Sequence, residues 1–261
     1  MTIQQLFYRT AVPVNFQRHK DWSVKMGDDF SFAREVNSAP ITAVEFAQAA
    51  AEYPIIFAGN ENRVFPAVVL GARDNENLYI GANGKWTGNY IPAFVRRYPF
   101  VFSVDEAGKT FKLHIDETFE GVNTNGRGER LFDADGDQTQ YLKGVLRFLQ
   151  DFQSRFARTQ TFCDRLVELK LLQPMQAQFA LASGERRTLA GFQVIDREKL
   201  KSLDDAVLAD MCRKDELECV YLHLTSLRHF EDMLGRFPVP APEGEVSAEQ
   251  SIDELEPVGS A

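Results

Sequence analysis

The sequence predicts an α+β protein, with a mixed, largely antiparallel sheet in the N-terminal half and helices from the C-terminal half packed on it. Three observations carry that expectation. Residues 54–115 hold short apolar runs separated by Gly-Asn, Asp-Asn and Asn-Gly turn signals. After Asp133 the apolar spacing changes from two to 3.6. Strand-like and helix-like stretches then mix, without the regular alternation of a doubly wound parallel sheet.

The elements follow in order. The N-terminal arm alternates apolar and polar residues over 12–16. A helix is expected after Pro40, with Thr42 as cap and Glu45 three residues on as its capping-box partner; Pro54 ends it. Strands are expected at 54–58, 64–71 and 77–80. A short helix is expected within 88–98, with Pro92 in its first turn. Runs 100–104 and 110–115 pair as a hairpin. Leu142, Val145, Leu146, Leu149, Phe152 and Phe156 make one helical stripe, and a second helix over 161–172 stops before Pro174. Strands return at 177–182 and 188–195. Short helices follow at 196–200 and 204–213, then a strand at 218–224 and a helix from Thr225 or Ser226 to Leu234. Residues 1–236 read as one domain with a possible sub-boundary near 133–140. Residues 237–261, which include Pro238, Pro240 and Pro242, read as a disordered acidic tail.

Charge and composition narrow the function. The formal net charge is −9, but the tail carries six acids and no Lys or Arg, leaving 32 acids against 29 bases in the rest. Such a balance offers no basic face for a phosphate backbone, so nucleic acid is not an expected partner. No apolar run is long enough for a membrane span or signal peptide, and Cys163, Cys212 and Cys219 lack metal or redox spacing. A cytoplasmic protein with reduced thiols and no cofactor is the expectation.

Chemical motifs are sparse. Gly108-Lys109-Thr110 imitates the end of a phosphate-binding loop, but Ser103 stands where that loop needs Gly. Asp133, Asp135 and Asp137 imitate a calcium loop, yet Gln138 and Gly144 occupy its Gly and Glu positions. A turn is the simpler reading, with weak calcium binding left open. His114 and Asp116 share one face of an expected strand and, with His223 on another, form a candidate iron(II) facial triad; a half-buried His and an exposed Asp on an edge strand is the plainer alternative. His229 reads as a surface residue, Glu117 and Glu120 as exposed carboxylates, and there is no activated nucleophile.

The densest aromatic segment runs from Trp86 to Phe102. Phe94, Phe100 and Phe102 read as core; Trp86, Tyr90, Arg96 and Arg97 are candidates for a binding surface, because aromatic rings with arginine make interface hot spots.

Five ordered blocks resemble the SapC family of bacterial proteins. They are PITAVEFAQAAAEYPIIF at 40–57, YIPAFVRRYPF at 90–100, LFDADG at 131–136, GFQVID at 191–196 and YLHLTSL at 221–227. The resemblance implies a protein related to a bacterial surface layer, or an accessory to outer-membrane uptake or peptide modification. It supplies no catalytic residue to carry over. The expectation is therefore a non-enzymatic accessory or binding protein with a protein or peptide partner. Its alternatives are an iron oxygenase using His114, Asp116 and His223, and a self-assembling surface component.

Overall fold

The computed structural model describes residues 6–60, 63–104, 111–181 and 183–237. The chain is α+β. Its elements begin with β1 (Ala11–Pro13), α1 (Phe16–His19), β2 (Ser23–Val24), β3 (Ser38–Pro40), α2 (Phe46–Ala49), β4 (Ile55–Asn60) and β5 (Arg63–Val69). They continue with α3 (Ala93–Arg96), β6 (Phe100–Val104), β7 (Phe111–Asp116), β8 (Val122–Asn123), β9 (Glu129–Arg130) and α4 (Gln140–Glu168). The C-terminal part adds β10 (Leu172–Ala180), β11 (Arg186–Ile195), α5 (Arg197–Lys201), α6 (Asp205–Arg213), α7 (Glu216–Ser226) and α8 (His229–Asp232).

Five strands form an antiparallel sheet in the order β10-β11-β4-β5-β3. Its two faces alternate as the pleat requires. Ile55, Phe57, Val64 and Val68 join Phe162 and Leu166 of α4, Met211 of α6 and Val220 of α7. Ile56, Ala67, Val69, Phe192 and Val194 pack instead on Phe230, Met233 and Phe237. Two small antiparallel sheets, β1-β7-β6 and β8-β2-β9, complete the fold. Phe100, Ile115 and Val24 of these sheets, with Leu131 just after β9, bury Leu142 and Leu149 of α4. A 29-residue helix spans about 43 Å, so α4 has length enough to cover the small sheets with its first half and the large sheet with its second.

Several expectations are corrected. The helices expected on either side of 157–160 are one helix, α4: no Gly or Pro lies within 157–160, and the Thr159 hydroxyl donates to the Arg155 carbonyl (2.8 Å). Pro174 sits inside β10 rather than ending a helix, which is possible because β10 lies at the edge of its sheet. Residues 77–80 make no strand beyond the isolated bridge Ile80↔Trp86, since the Asn77 side chain folds back to the Ala33 carbonyl (3.0 Å) and the Tyr79 amide (2.9 Å). The helix after Pro40 is a single 3-10 turn followed by α2, and the helix expected within 88–98 shrinks to α3, with Pro92 as its N-cap. The expected final helix is divided into the end of α7, α8 and a 3-10 turn, Met233–Arg236. The turn of the β6–β7 hairpin, with Gly108-Lys109-Thr110, and the acidic tail beyond Phe237 lie outside the described residues.

The largest correction is 218–224, expected as a strand and found inside α7. β11 and β4 pair at Gln193↔Phe57, a register that would next oppose Ile195 and Ile55. α7 takes those two amides instead. Ile195 N–H donates to His223 Nε2 (3.0 Å) and Ile55 N–H to Ser226 Oγ (3.0 Å). The helix thus satisfies the backbone of two diverging strands with side chains, a substitution for ladder bonds that apolar periodicity cannot reveal.

Candidate functional site

A cleft of about 250 Å³ opens where the start of the 43–49 helical turn, the Tyr90–Arg96 segment and α4 meet. Its floor is fixed by Glu45, a buried carboxylate with four hydrogen bonds. Thr42 donates its amide (2.7 Å) and hydroxyl (2.8 Å) to Oε2; the Tyr90 hydroxyl (2.7 Å) and Ala93 amide (2.8 Å) donate to Oε1. The expected capping residue therefore also clamps the aromatic segment 45 residues downstream. Burial and the Glu45 carboxylate both push the Tyr90 phenol upward, so it remains a neutral donor.

Arg96 closes one side of the cleft. Its Nε donates to the Ile91 carbonyl (2.9 Å), and its guanidinium lies 5.6 Å from the Phe148 ring centroid and 5.9 Å from that of Tyr90. Arg155 of α4 lines the same cleft. Neither arginine forms an ion pair among the described residues. α4 also exposes Lys143, Arg147 and Arg158, likewise without ion pairs, and the spacing 143, 147, 158 keeps them on one helical side. Asp151 is the exposed carboxylate among them. The cleft lining thus holds two guanidiniums, Arg96 and Arg155, and two carboxylates, the hydrogen-bonded Glu45 and the exposed Asp151.

Of the four binding candidates, Tyr90 and Arg96 line this cleft; Trp86 and Arg97 do not. Trp86 Nε1 donates to the Tyr53 hydroxyl (2.9 Å), which in turn donates to the Tyr90 carbonyl. The Arg97 guanidinium turns inward, 3.9 Å from the Phe94 centroid and 5.4 Å from that of Phe152. In a helical turn consecutive residues point about 100° apart, so one of the two arginines faces out while the other packs. Glu45, Phe148 and Arg155 were not singled out from sequence as site residues; only the capping-box pattern marked Glu45.

The three metal candidates are placed apart in the fold. His114 and Asp116 lie on β7 in a small sheet, whereas His223 is on α7 against the large one. Asp116 accepts the amides of Arg9 (2.7 Å), Thr10 (3.1 Å) and Thr118 (3.0 Å) and the Thr118 hydroxyl (2.8 Å), clasping the N-terminal arm. His114 Nδ1 faces the Lys112 carbonyl (3.1 Å). His223 is fully buried, and desolvation lowers its pKa to about 4, with the Ile55 backbone opposing the shift. Among the described residues no group of three or more His, Cys, Asp and Glu is arranged to hold a metal ion. In the 133–137 loop, Asp133 Oδ1 accepts the amides of Asp135 (3.1 Å) and Asp137 (2.8 Å), as a turn requires.

His229 is buried rather than exposed. Nδ1 lies 2.6 Å from Asp232 Oδ2 and Nε2 2.9 Å from the Ala50 carbonyl, so both ring nitrogens are engaged. The three thiols are free: Cys163 buried, Cys219 half-buried and Cys212 exposed. Among the described residues no helix is long and apolar enough to cross a membrane.

A family model described as SapC matches residues 14–233. No curated protein and no solved structure gives a significant match.

Proposed function

Since the chain belongs to the SapC family, we propose that it is a non-enzymatic binding protein that holds an acidic segment of a protein or peptide partner at the Tyr90–Arg96–Arg155 cleft. The observation that carries this reading is the pair of guanidiniums, Arg96 and Arg155, beside the Tyr90 ring that Glu45 holds, with Asp151 as the one exposed carboxylate of the lining. Glu45 already accepts four hydrogen bonds, so it is a brace for the floor rather than a competing anion. A volume of about 250 Å³ is below the range of most small-molecule sites and suits one anchoring side chain. Lys143, Arg147 and Arg158 would extend the contact along α4. A role as accessory to surface-layer or outer-membrane uptake machinery, which the family resemblance implies, would supply such a partner.

Fluorescence polarisation with labelled peptides tests it. Peptides that pair Asp or Glu with an aromatic residue should bind, and their Lys-substituted counterparts should not. Binding should weaken with salt, because exposed charges are screened. The double variant Arg96→Glu/Arg155→Glu should lose about tenfold in affinity, and at most about thirtyfold, each exposed charge contributing up to about 1 kcal/mol. Affinity unchanged by that double reversal refutes the reading.

A further inference from the structure

We propose that the open edge of β10 pairs with β10 of a second copy of this chain, joining two five-stranded sheets across a two-fold axis at Phe179.

β10 ends the strand order β10-β11-β4-β5-β3. Native sheets blunt such an edge with charge, proline or a bulge, because unpaired amides and carbonyls template a further strand. At the opposite edge, β3 is three residues long and ends in Pro40. β10 is nine residues long and carries no charged side chain. Its protection is confined to one end: Pro174 has no amide to offer, and the register shifts between Met175 and Ala177. From Ala177 to Ala180 the edge is regular.

The hairpin register shows which backbone groups are open. The Leu181 amide donates to the Glu185 carbonyl (2.9 Å), and the same register sets Phe179 opposite Arg187 and Ala177 opposite Leu189. Hydrogen-bonded and non-hydrogen-bonded pairs alternate along an antiparallel ladder, so the amides and carbonyls of Gln178 and Ala180 point away from β11. Both residues are exposed, and no other strand among the described residues pairs with them.

The occupant follows from what a two-fold axis at Phe179 brings together. Gln178 meets Ala180 of the second copy and Ala180 meets its Gln178, two narrow pairs that each exchange two hydrogen bonds. On one side Phe179 meets its own copy and Ala177 meets Leu181, so the apolar layer that packs on Phe230 and Phe237 continues across the junction. On the other side Gln178 lies beside Ala180, and no like charges are opposed. The charge in line with the axis is Arg187 on β11. Glu76 and Glu185 pair with it (2.8 Å each), and it stands three strand spacings, about 14 Å, from its copy. An acidic peptide finds no cation on β10, so the partner proposed for the arginine cleft has no preference for this edge.

Sedimentation velocity on the full chain tests the pairing, with reductant present because Cys212 is exposed. So short a junction falls below the area of a standard interface, and the expected result is a monomer–dimer equilibrium with a dissociation constant of about 10 to 500 μM. Gln178→Lys/Ala180→Lys places lysine opposite lysine in both narrow pairs. It should weaken the dimer about tenfold, with urea unfolding unchanged because both side chains are exposed. Mixing that variant with Gln178→Glu/Ala180→Glu places lysine opposite glutamate and should restore association. A chain that stays monomeric at about 1 mM overturns the proposal. So does a dimer that the lysine variant leaves unchanged, or a mixture that fails to associate. Arg96→Glu/Arg155→Glu should leave the dimer intact, so this contact and the arginine cleft fail or stand separately.

Discussion

Acidification from pH 7 to pH 4 perturbs one buried group above the rest, His223. Its ring is enclosed by α7, β4 and β11, its Nε2 accepts the Ile195 amide, and a proton there would destroy that bond and place a charge in the core. Burial lowers its pKa from 6.5 to about 4. Above pH 6.5 neither the folded nor the unfolded chain protonates the ring, and the full stability is present. Between 6.5 and 4 the unfolded chain takes up a proton that the folded chain refuses, so stability falls as pH falls, by up to about 1.4 kcal/mol per unit. Across the window the loss is about 3 kcal/mol; below pH 4 both states are protonated and this contribution is flat. His19, also fully enclosed and also lowered by burial, acts in the same direction, with the Asn15 backbone and Glu117 opposing. The informative quantity is therefore the difference between wild type and His223→Gln, whose side-chain oxygen can still accept from Ile195. Urea unfolding followed by Trp fluorescence at several pH values between 7 and 4.5 measures it. The variant should be less stable at pH 7 but show a shallower decline. Parallel slopes for the two proteins would refute the argument.

Two further predictions rest on equally local geometry. Asp116→Asn should cost about 2 kcal/mol, because one amide oxygen cannot accept the four hydrogen bonds that clasp the arm to β7; hydrogen exchange should show the Arg9 and Thr10 amides losing protection first, and unchanged protection would remove Asp116 as the clasp. With iodoacetamide at neutral pH, mass spectrometry should find Cys212 alkylated first. Burial pushes the Cys163 thiol up to about 12 and the Cys219 thiol up to about 11, so both should react slowly until the chain unfolds; rapid labelling of Cys163 in the folded protein would contradict its burial.

The parts of the fold that were legible in the sequence are those whose cause is local. The Thr42–Glu45 spacing announced a capped turn, and the alternating runs around the Gly59-Asn60 turn signal announced β4 and β5. The illegible parts depend on a distant partner. Nothing within 218–224 distinguishes a buried strand from a helix; what decides is that His223 and Ser226 can cap the amides of Ile195 and Ile55, residues 28 and 171 positions away. Pro174 marked a helix end only as long as the edge position of β10 was unknown. The candidate site follows the same division. Aromatic density identified the Trp86–Tyr98 segment, but which rings face a cleft depends on α4, which supplies Phe148 and Arg155 from 50 or more positions downstream.

That segment borders two clefts. Tyr90 and Arg96 face the first, and Tyr98 faces a second, of about 420 Å³, between the arm at Phe7–Arg9 and the loop from Lys25 to Phe32, with α3 between the two. Both ends are tied down by carboxylates from other parts of the chain. Glu45 takes the Tyr90 hydroxyl and the Ala93 amide, while Asp116 faces Tyr98 and donates its own amide to the Pro99 carbonyl. Between these ties Arg97 packs against Phe94, with the Tyr8 and Phe152 rings within 6 Å. Tyr8 follows Phe7 of the second cleft, and Phe152 lines the first. A side chain that composition marks as a surface cation is therefore the packing element between two concave surfaces. Arg97→Glu would leave a buried carboxylate among aromatic rings and disturb both walls together, whereas Arg96→Glu changes the charge of the first cleft alone.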